Sequence, residues 1–386
     1  MAAIPTKIAR GVKVIYSDLR SCLRTEVDFW RASPRSALLF LTYRCTSRCA
    51  TCSIWRKGAS GQGELSLEQW MRIANVLADN GVRGVELFGG DVLLRKDVLF
   101  PLARHMKRLG MCVHVPTNAN LLDRATADAI VDSGIDFLYI SVDGVSKTHD
   151  RLRGVDGTFA RTNRAIRNVV EARVRKSGPR LICNTTVSKF NVESLEEILQ
   201  FAKYSGFDDI HYEYVGEMTQ QQIENSVVNG IRPEPYYVRH GDSVLVDPGG
   251  ARKLKKTLRR IRLLHSRDGI GITTINIDVL SQKDLYEGTI PSRKCYQERN
   301  EVTMDPYGNV VACPFISNYV LGNILKDGFR LIWNNAKHRT FRNLQNGGKI
   351  VICRHCILSA QRNPSFLTRM KRIYLGRIRH NLINLP

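Results

Sequence analysis

The sequence predicts an α/β fold, a partial (β/α)6 barrel followed by a small cysteine-bearing domain. Three observations carry that expectation. Six short apolar runs alternate with amphipathic stretches between residues 37 and 215, polar and glycine-rich positions gather at the ends of those runs, and a second set of cysteines follows once the alternation stops. Such alternation implies a parallel sheet whose faces are covered by helices.

The run ALLFLTY (37–43) reads as the first strand, and the amphipathic stretch 66–80 as the helix that returns the chain. GVELFGG (84–90) with helix 98–109 forms the second unit, and CVHVPTN (112–118) with helix 123–133 the third. FLYISVDG (137–144) with helix 158–176, LICNTTV (181–187) with helix 193–204, and DIHYEYV (209–215) complete six strands. Six units suit an open barrel, where function gathers in the loops at the carboxyl ends of the strands. The expected organisation is an N-terminal extension (1–36), the barrel (37–216), a connecting region (217–290), a second cysteine-bearing module (291–358) and a basic tail (359–386). The connecting region carries Pro233, Pro235, Pro248, Gly249 and Gly250, then the basic helical stretch ARKLKKTLRRIRLLHS.

At 386 residues the chain can bury a large core, as two domains or as one barrel with an appendage. Its net charge of +22 points to an anionic partner such as nucleic acid, phospholipid or a phosphorylated substrate. About half of the excess lies after Asp327, where twelve Lys or Arg residues and no acid occupy the last 59 positions. Ten cysteines are too few for a disulfide scaffold, and their spacings are those of ligands, which implies a reducing cytoplasm. The first residues lack the apolar core of a signal peptide, and no run approaches the eighteen or so apolar residues of a membrane span, so membrane contact is expected to be peripheral at most.

Cys45, Cys49 and Cys52 fall within eight residues, directly after the first strand. A closed structural zinc site needs four ligands, so three local thiols imply either a remote fourth ligand, as in a zinc knuckle, or a metal site with one open position. At the ends of the next strands stand Gly89, Gly90 and Asp91, then Thr117 and Asn118, then Ser141 and Asp143, and Asn184 within the fifth strand. Each alone fits a turn former or helix cap. Their recurrence at successive strand ends places them at one barrel mouth.

The spacing CxxxCxxC after a first barrel strand resembles the radical S-adenosylmethionine (SAM) superfamily. The resemblance implies a TIM-like partial barrel and a [4Fe-4S] cluster held by Cys45, Cys49 and Cys52, whose open iron chelates SAM. It further implies reductive cleavage to a 5′-deoxyadenosyl radical, and an external electron donor of the flavodoxin or ferredoxin type. FGGD (88–91) resembles the family's GGE motif, with Asp91 one methylene shorter, expected at the SAM amino group. VPTNAN resembles its TNG-like segment, with Ala119 where glycine is common. Ser141, Asp143 and Asn184 correspond to polar positions that meet the SAM ribose or carboxylate. Thr51 stands where an aromatic residue often precedes the third cysteine, and Trp55 is either an adenine contact or a core aromatic.

Cys295 and Cys313 flank a hairpin signal, DPYGN, and CRHC supplies Cys353 and Cys356. Four thiols brought together by a hairpin and a CxxC loop make a closed site, either a zinc ribbon or a second cluster. The pattern resembles the twitch module, a shortened SPASM domain, which implies an auxiliary [4Fe-4S] cluster with an electron-transfer role. Cys22, Cys112 and Cys183 have no partner spacing; the last two lie in strand runs, where a free cysteine is a small buried hydrophobe.

The two resemblances imply a radical SAM enzyme that takes hydrogen from its substrate and gives net oxidation or another radical modification, of a peptide or of a lipid or glycan. The competing class is a non-enzymatic zinc-containing nucleic-acid-binding protein, which accounts for the charge but not for the gathered loops. No catalytic acid or base is identified: strand alternation turns either His211 and Glu213 or Tyr212 and Tyr214 inward. In the tail, Leu367, Met370, Tyr374, Ile378 and Leu382 recur at helical spacing among cations, which fits a stripe docked on the core or an interfacial helix at an anionic membrane.

Overall fold

The computed structural model describes residues 33–58, 61–265, 269–290, 295 and 297–358. Residues 1–32 of the N-terminal extension, with Cys22, and the basic tail with its apolar stripe lie outside the described residues.

Six parallel strands carry the barrel: β1 (Ser36–Thr42), β2 (Gly84–Gly89), β3 (Cys112–Thr117), β4 (Phe137–Ser141), β5 (Arg180–Val187) and β6 (Asp209–Tyr214). They alternate with helices α1 (Leu67–Asp79), α2 (Lys96–Arg108), α3 (Arg124–Asp132), α4 (Lys147–Arg153), α5 (Thr158–Arg175) and α6 (Leu195–Tyr204). Local chemistry sets the helix starts. Ser66 and Gln69 form a reciprocal capping box at α1, and the Asp123 carboxylate accepts from the Thr126 N–H at α3. The short helix α4 is an addition to the sequence expectation. It ends at Gly154, whose φ of +67° lets the chain reverse into α5.

The sheet does not stop at the six strands. From the connecting region, after helix α7 (Pro248–Leu264), β7 (Gly271–Thr273) pairs parallel to β6. On the other edge β8 (Glu301–Met304) pairs parallel to β1 and continues antiparallel through β9 (Asn309–Val311) and β10 (Val320–Asn323). Ten strands thus form one open sheet among the described residues, in the order β10-β9-β8-β1-β2-β3-β4-β5-β6-β7. The cysteine-bearing module is stitched to the barrel through its first strand.

Alternation sorts the side chains of each strand. In β2, Val85 and Leu87 are buried beneath the helices, and in β3 Val113 and Val115 are, while Glu86, Phe88, His114 and Pro116 turn to the barrel interior. In β6 the hydroxyls of Tyr212 and Tyr214 donate to the backbone carbonyls of Leu195 and Leu285, outside the barrel. His211 and Glu213 therefore face inward. Cys183 is buried as expected. Cys112 is not: it is only partly covered, with its Sγ 3.4 Å from His114 Nε2, because β3 begins at the barrel floor.

Candidate active site

A cavity of about 530 Å³ opens at the carboxyl ends of the strands and reaches down into the barrel. This is the size range of small-molecule sites, roughly 300–1,000 Å³. Cys45, Cys49 and Cys52 line it, together with Gly89, Gly90, Thr117, Asn118, Ser141, Asp143 and Asn184. The structure thus brings together every barrel residue expected to hold the cluster or SAM except Asp91.

The cysteine loop is held from two sides. The N–H groups of Arg48 and Ala50 donate to the carbonyls of Arg153 and Leu152 at 2.8 and 3.0 Å, so the loop rests on the end of α4. On the other side Gly90 N–H donates to the Thr42 carbonyl and Asp91 N–H to that of Arg44. A Cβ at Gly90 would lie 2.3 Å from the Arg44 carbonyl oxygen, so the paired glycines are there because backbone meets backbone. Below, the buried Glu64 accepts from Thr42 and from both Arg44 and Arg95, tying the base of the loop to the turn after β2. Gly90→Ala is expected to lower stability by about 1–3 kcal/mol and to reduce iron uptake, checked by urea unfolding and iron analysis.

Asp91 stands behind the glycines. Its carboxylate accepts from Thr46 Oγ1 at 2.6 Å and from Leu93 N–H at 3.3 Å, and it is 1% exposed. Asn118 donates to the same Thr46 hydroxyl at 2.9 Å and approaches Cys45 Sγ at 3.7 Å. Thr117 Oγ1 accepts from the N–H of Ala119, which takes φ +62°, the left-handed conformation that glycine adopts most easily. Trp55 borders the cavity, donating its indole N–H to the Cys52 carbonyl, with the guanidinium groups of Arg48 and Arg56 each 4.9 Å from its ring.

Asp143 is occupied by Arg153, at 2.8 Å, and by the Thr186 N–H, at 2.9 Å. The same guanidinium approaches Cys49 Sγ at 3.8 Å. Arg153 carries no motif signal; one more cation in a short basic helix is unremarkable until the Gly154 turn sets it against the cysteine loop. Burial pushes the Cys45 thiol up to about 11 and the Cys52 thiol up to about 12, and raises Cys49 against the pull of Arg153. Metal ligation would remove those protons.

The donor set fits a cluster bound to SAM. Three thiols border one cavity, and Arg153 Nε is buried there without a hydrogen-bond partner, an orphan that an anionic group would satisfy. Among the described residues no three His, Cys, Asp or Glu side chains converge on a single-ion position.

In the second module the β8–β9 hairpin turns at 305–308, where Gly308 has φ +83°. Burial, followed by the neighbouring Cys356 and Cys295, raises the Cys313 thiol well above its ordinary value, so these three lie within electrostatic reach. Cys353 and Cys356 sit on and just after the short 3-10 turn Val351–His355. Between the two cysteine sets lies a feature the sequence reading passed over, Tyr236 and Tyr237 from the connecting region. Their rings stack edge-on at 4.8 Å and contact Phe315 at 4.8 and 5.2 Å. Ser53, next to Cys52, donates to the Tyr236 carbonyl, and Phe315 is two residues past Cys313. Among the described residues no helix is long and apolar enough to cross a membrane.

Comparison with known proteins agrees with this arrangement. Residues 39–202 match the radical SAM superfamily model, and residues 295–357 match SPASM, an iron–sulfur cluster-binding domain. The chain is 28% identical to an AdoMet-dependent heme synthase of Methanosarcina barkeri over 337 residues, 84% of this chain and 89% of that one. It is 33% identical to a PqqA peptide cyclase of Rhodopseudomonas palustris over 170 residues, 44% of each. Among solved structures, Streptococcus suis SuiB bound to S-adenosylmethionine superposes with a TM-score of 0.60 at 17% identity, covering 85% of this chain and 73% of that one. The last likeness concerns the fold.

Proposed function

The chain belongs to the radical SAM superfamily and carries a SPASM iron–sulfur module, and from that premise we propose that it abstracts hydrogen from its substrate and carries the resulting radical to a net oxidation or a related radical modification. The observation that carries this reading is one cavity walled by three cysteines at its mouth and by the barrel interior below. Cys45, Cys49 and Cys52 would hold the SAM-binding [4Fe-4S] cluster. Gly89, Gly90, Thr117, Asn118, Ser141 and Asn184 border the space for SAM, with Arg153 beside Cys49 offering a fixed positive charge. When bound, the cluster and SAM supply the electron and the sulfonium whose cleavage yields the 5′-deoxyadenosyl radical. Cys295, Cys313, Cys353 and Cys356 would fill all the ligand positions of a second cluster, a donor set suited to electron transfer rather than to substrate binding.

A small reduced flavodoxin or ferredoxin is the partner this chemistry calls for. The resemblance to a heme synthase and a peptide cyclase keeps the substrate class open between a cofactor precursor and a peptide.

Anaerobically reconstituted protein is expected to hold about eight irons and eight sulfides per chain, and, once reduced with dithionite, to convert SAM to 5′-deoxyadenosine and methionine. Stoichiometric zinc after reconstitution, or S-adenosylhomocysteine as the main product, would overturn the reading. A deuterated substrate that passes its label into 5′-deoxyadenosine identifies the hydrogen donor.

A further inference from the structure

The basic stretch of the connecting region takes no part in the site at the barrel mouth. It forms helix α7, which turns Ala251, Leu254, Leu258 and Ile261 inward, where all four are buried. Arg252, Lys256, Arg259 and Leu263 recur at three- and four-residue steps on the opposite face, and all four are exposed. The cations on the two flanks of the helix are engaged. Lys253 pairs with Glu193 and Arg260 with Glu196 on one side; on the other, Lys255 donates to the Ile277 carbonyl and Arg262 pairs with Asp278. The outward three are not: among the described residues Arg252, Lys256 and Arg259 have no hydrogen-bond, ion-pair or ring partner.

Beside this face, between α7 and the turn at 278–282, lies a cavity of about 570 Å³. Arg252, Lys255, Lys256, Arg259 and Arg262 border it, against one acid, Asp278. Like charges at this spacing on a helix repel one another, so an anion from outside would stabilise the arrangement. The rest of the chain is no source of one, since residues 1–32 carry six Lys or Arg against three Asp or Glu, and residues 359–386 carry no acid. The choice among anions follows from the end of the helix, where Leu263 is 72% exposed and Leu264 65%. A nucleic-acid backbone would satisfy the cations and leave both leucines in water. The boundary between lipid headgroups and acyl chains accepts both kinds of side chain.

We propose that the outer face of α7 is a docking surface for an anionic membrane, with Arg252, Lys256 and Arg259 on lipid phosphates and Leu263 and Leu264 at the acyl boundary. The contact is peripheral, holds the barrel beside the bilayer, and is independent of the chemistry in the barrel.

The experiment is co-sedimentation of the reconstituted full chain with vesicles of phosphatidylcholine alone or of equal parts phosphatidylcholine and phosphatidylglycerol. Binding is expected to the anionic vesicles only, and to weaken as salt is raised. Arg252→Gln, Lys256→Gln and Arg259→Gln combined should lower the partition about a hundredfold, and Leu263→Asn with Leu264→Asn about tenfold. A control that removes the same charge from the exposed Arg72, Arg104 and Arg108, on the helices that follow β1 and β2, should stay within about twofold of the native chain. All the substituted side chains are exposed, so circular dichroism and iron content should be unchanged; should the triple variant fail to fold, each single cation variant is expected to lose about fivefold. Equal binding to both vesicles, or native partition in the cation variants, overturns the proposal and would leave the charge to another segment. Binding to duplex DNA in place of vesicles, lost in the same variants, would overturn it in favour of a nucleic-acid surface. The readout needs no SAM, so a chain that docks but does not cleave SAM would refute the proposed activity and leave this inference standing.

Discussion

Alanine at Cys45 abolishes 5′-deoxyadenosine formation: with dithionite and SAM the variant is expected to stay at the background of protein-free controls. The side chain is placed for ligation by its surroundings, because Ser47 N–H points at its Sγ from 3.4 Å and the Asn118 amide from 3.7 Å. Weak donors to sulfur of this kind favour the thiolate. Loss of one of three ligands leaves two, too few to retain a cubane in a cavity open to solvent. Replacing Cys45, Cys49 and Cys52 together should remove about half of the iron, measured with the electron paramagnetic resonance signal of the reduced protein. Cys183→Ala is the control. Its thiol is buried in β5, 4.0 Å from Thr185 Oγ1 and away from the cavity, so iron content and cleavage should both persist. Cleavage that survived in Cys45→Ala would remove the cysteine loop from the chemistry.

Much of this arrangement is legible in the sequence because parallel strands and cysteine spacing are local signals. The helix 66–80 expected from periodicity spans Leu67–Asp79, and 158–176 spans Thr158–Arg175, since amphipathic stripes and caps act within a few residues of chain. The hairpin at DPYGN is local too. What escapes is set by distant partners. β7 is three residues long, Gly271–Thr273, and exists because the edge of β6 is there to receive it. The parallel pairing of β8 with β1 joins residues more than 260 positions apart, and no pattern within either strand announces the other. The same holds for single residues. Tyr236 and Tyr237 sit in a proline-bearing stretch that reads as linker, and nothing local announces that Thr46, from the cysteine loop, donates to the carboxylate of Asp91, the residue expected at the SAM amino group. Alternation left the facing of β6 undecided, and the hydroxyl partners of Tyr212 and Tyr214 decide it.

Arg153 belongs to a buried ion pair whose loss is expected to carry a large stability consequence. Its side chain is 11% exposed and that of Asp143 6%, at a separation of 2.8 Å. Removing one member of a buried ion pair leaves the other charge without compensation, at a cost of about 3–5 kcal/mol, whereas replacing both with apolar groups is often neutral. Asp143→Ala is therefore expected to lower the unfolding free energy of the cluster-free protein by about that amount, read from the urea midpoint. The double variant Asp143→Ala, Arg153→Met should recover most of the loss. Recovery of stability should not bring recovery of function, because Arg153 also approaches Cys49 at 3.8 Å and its backbone carbonyl holds the cysteine loop through the Arg48 N–H. The backbone contact survives the substitution and the guanidinium does not, so the double variant should fold and take up iron yet bind SAM more weakly than the native chain. A double variant as unstable as Asp143→Ala alone would show that the pair is not the source of the cost. A double variant with native SAM affinity would show that the orphaned Arg153 Nε does not serve the cofactor.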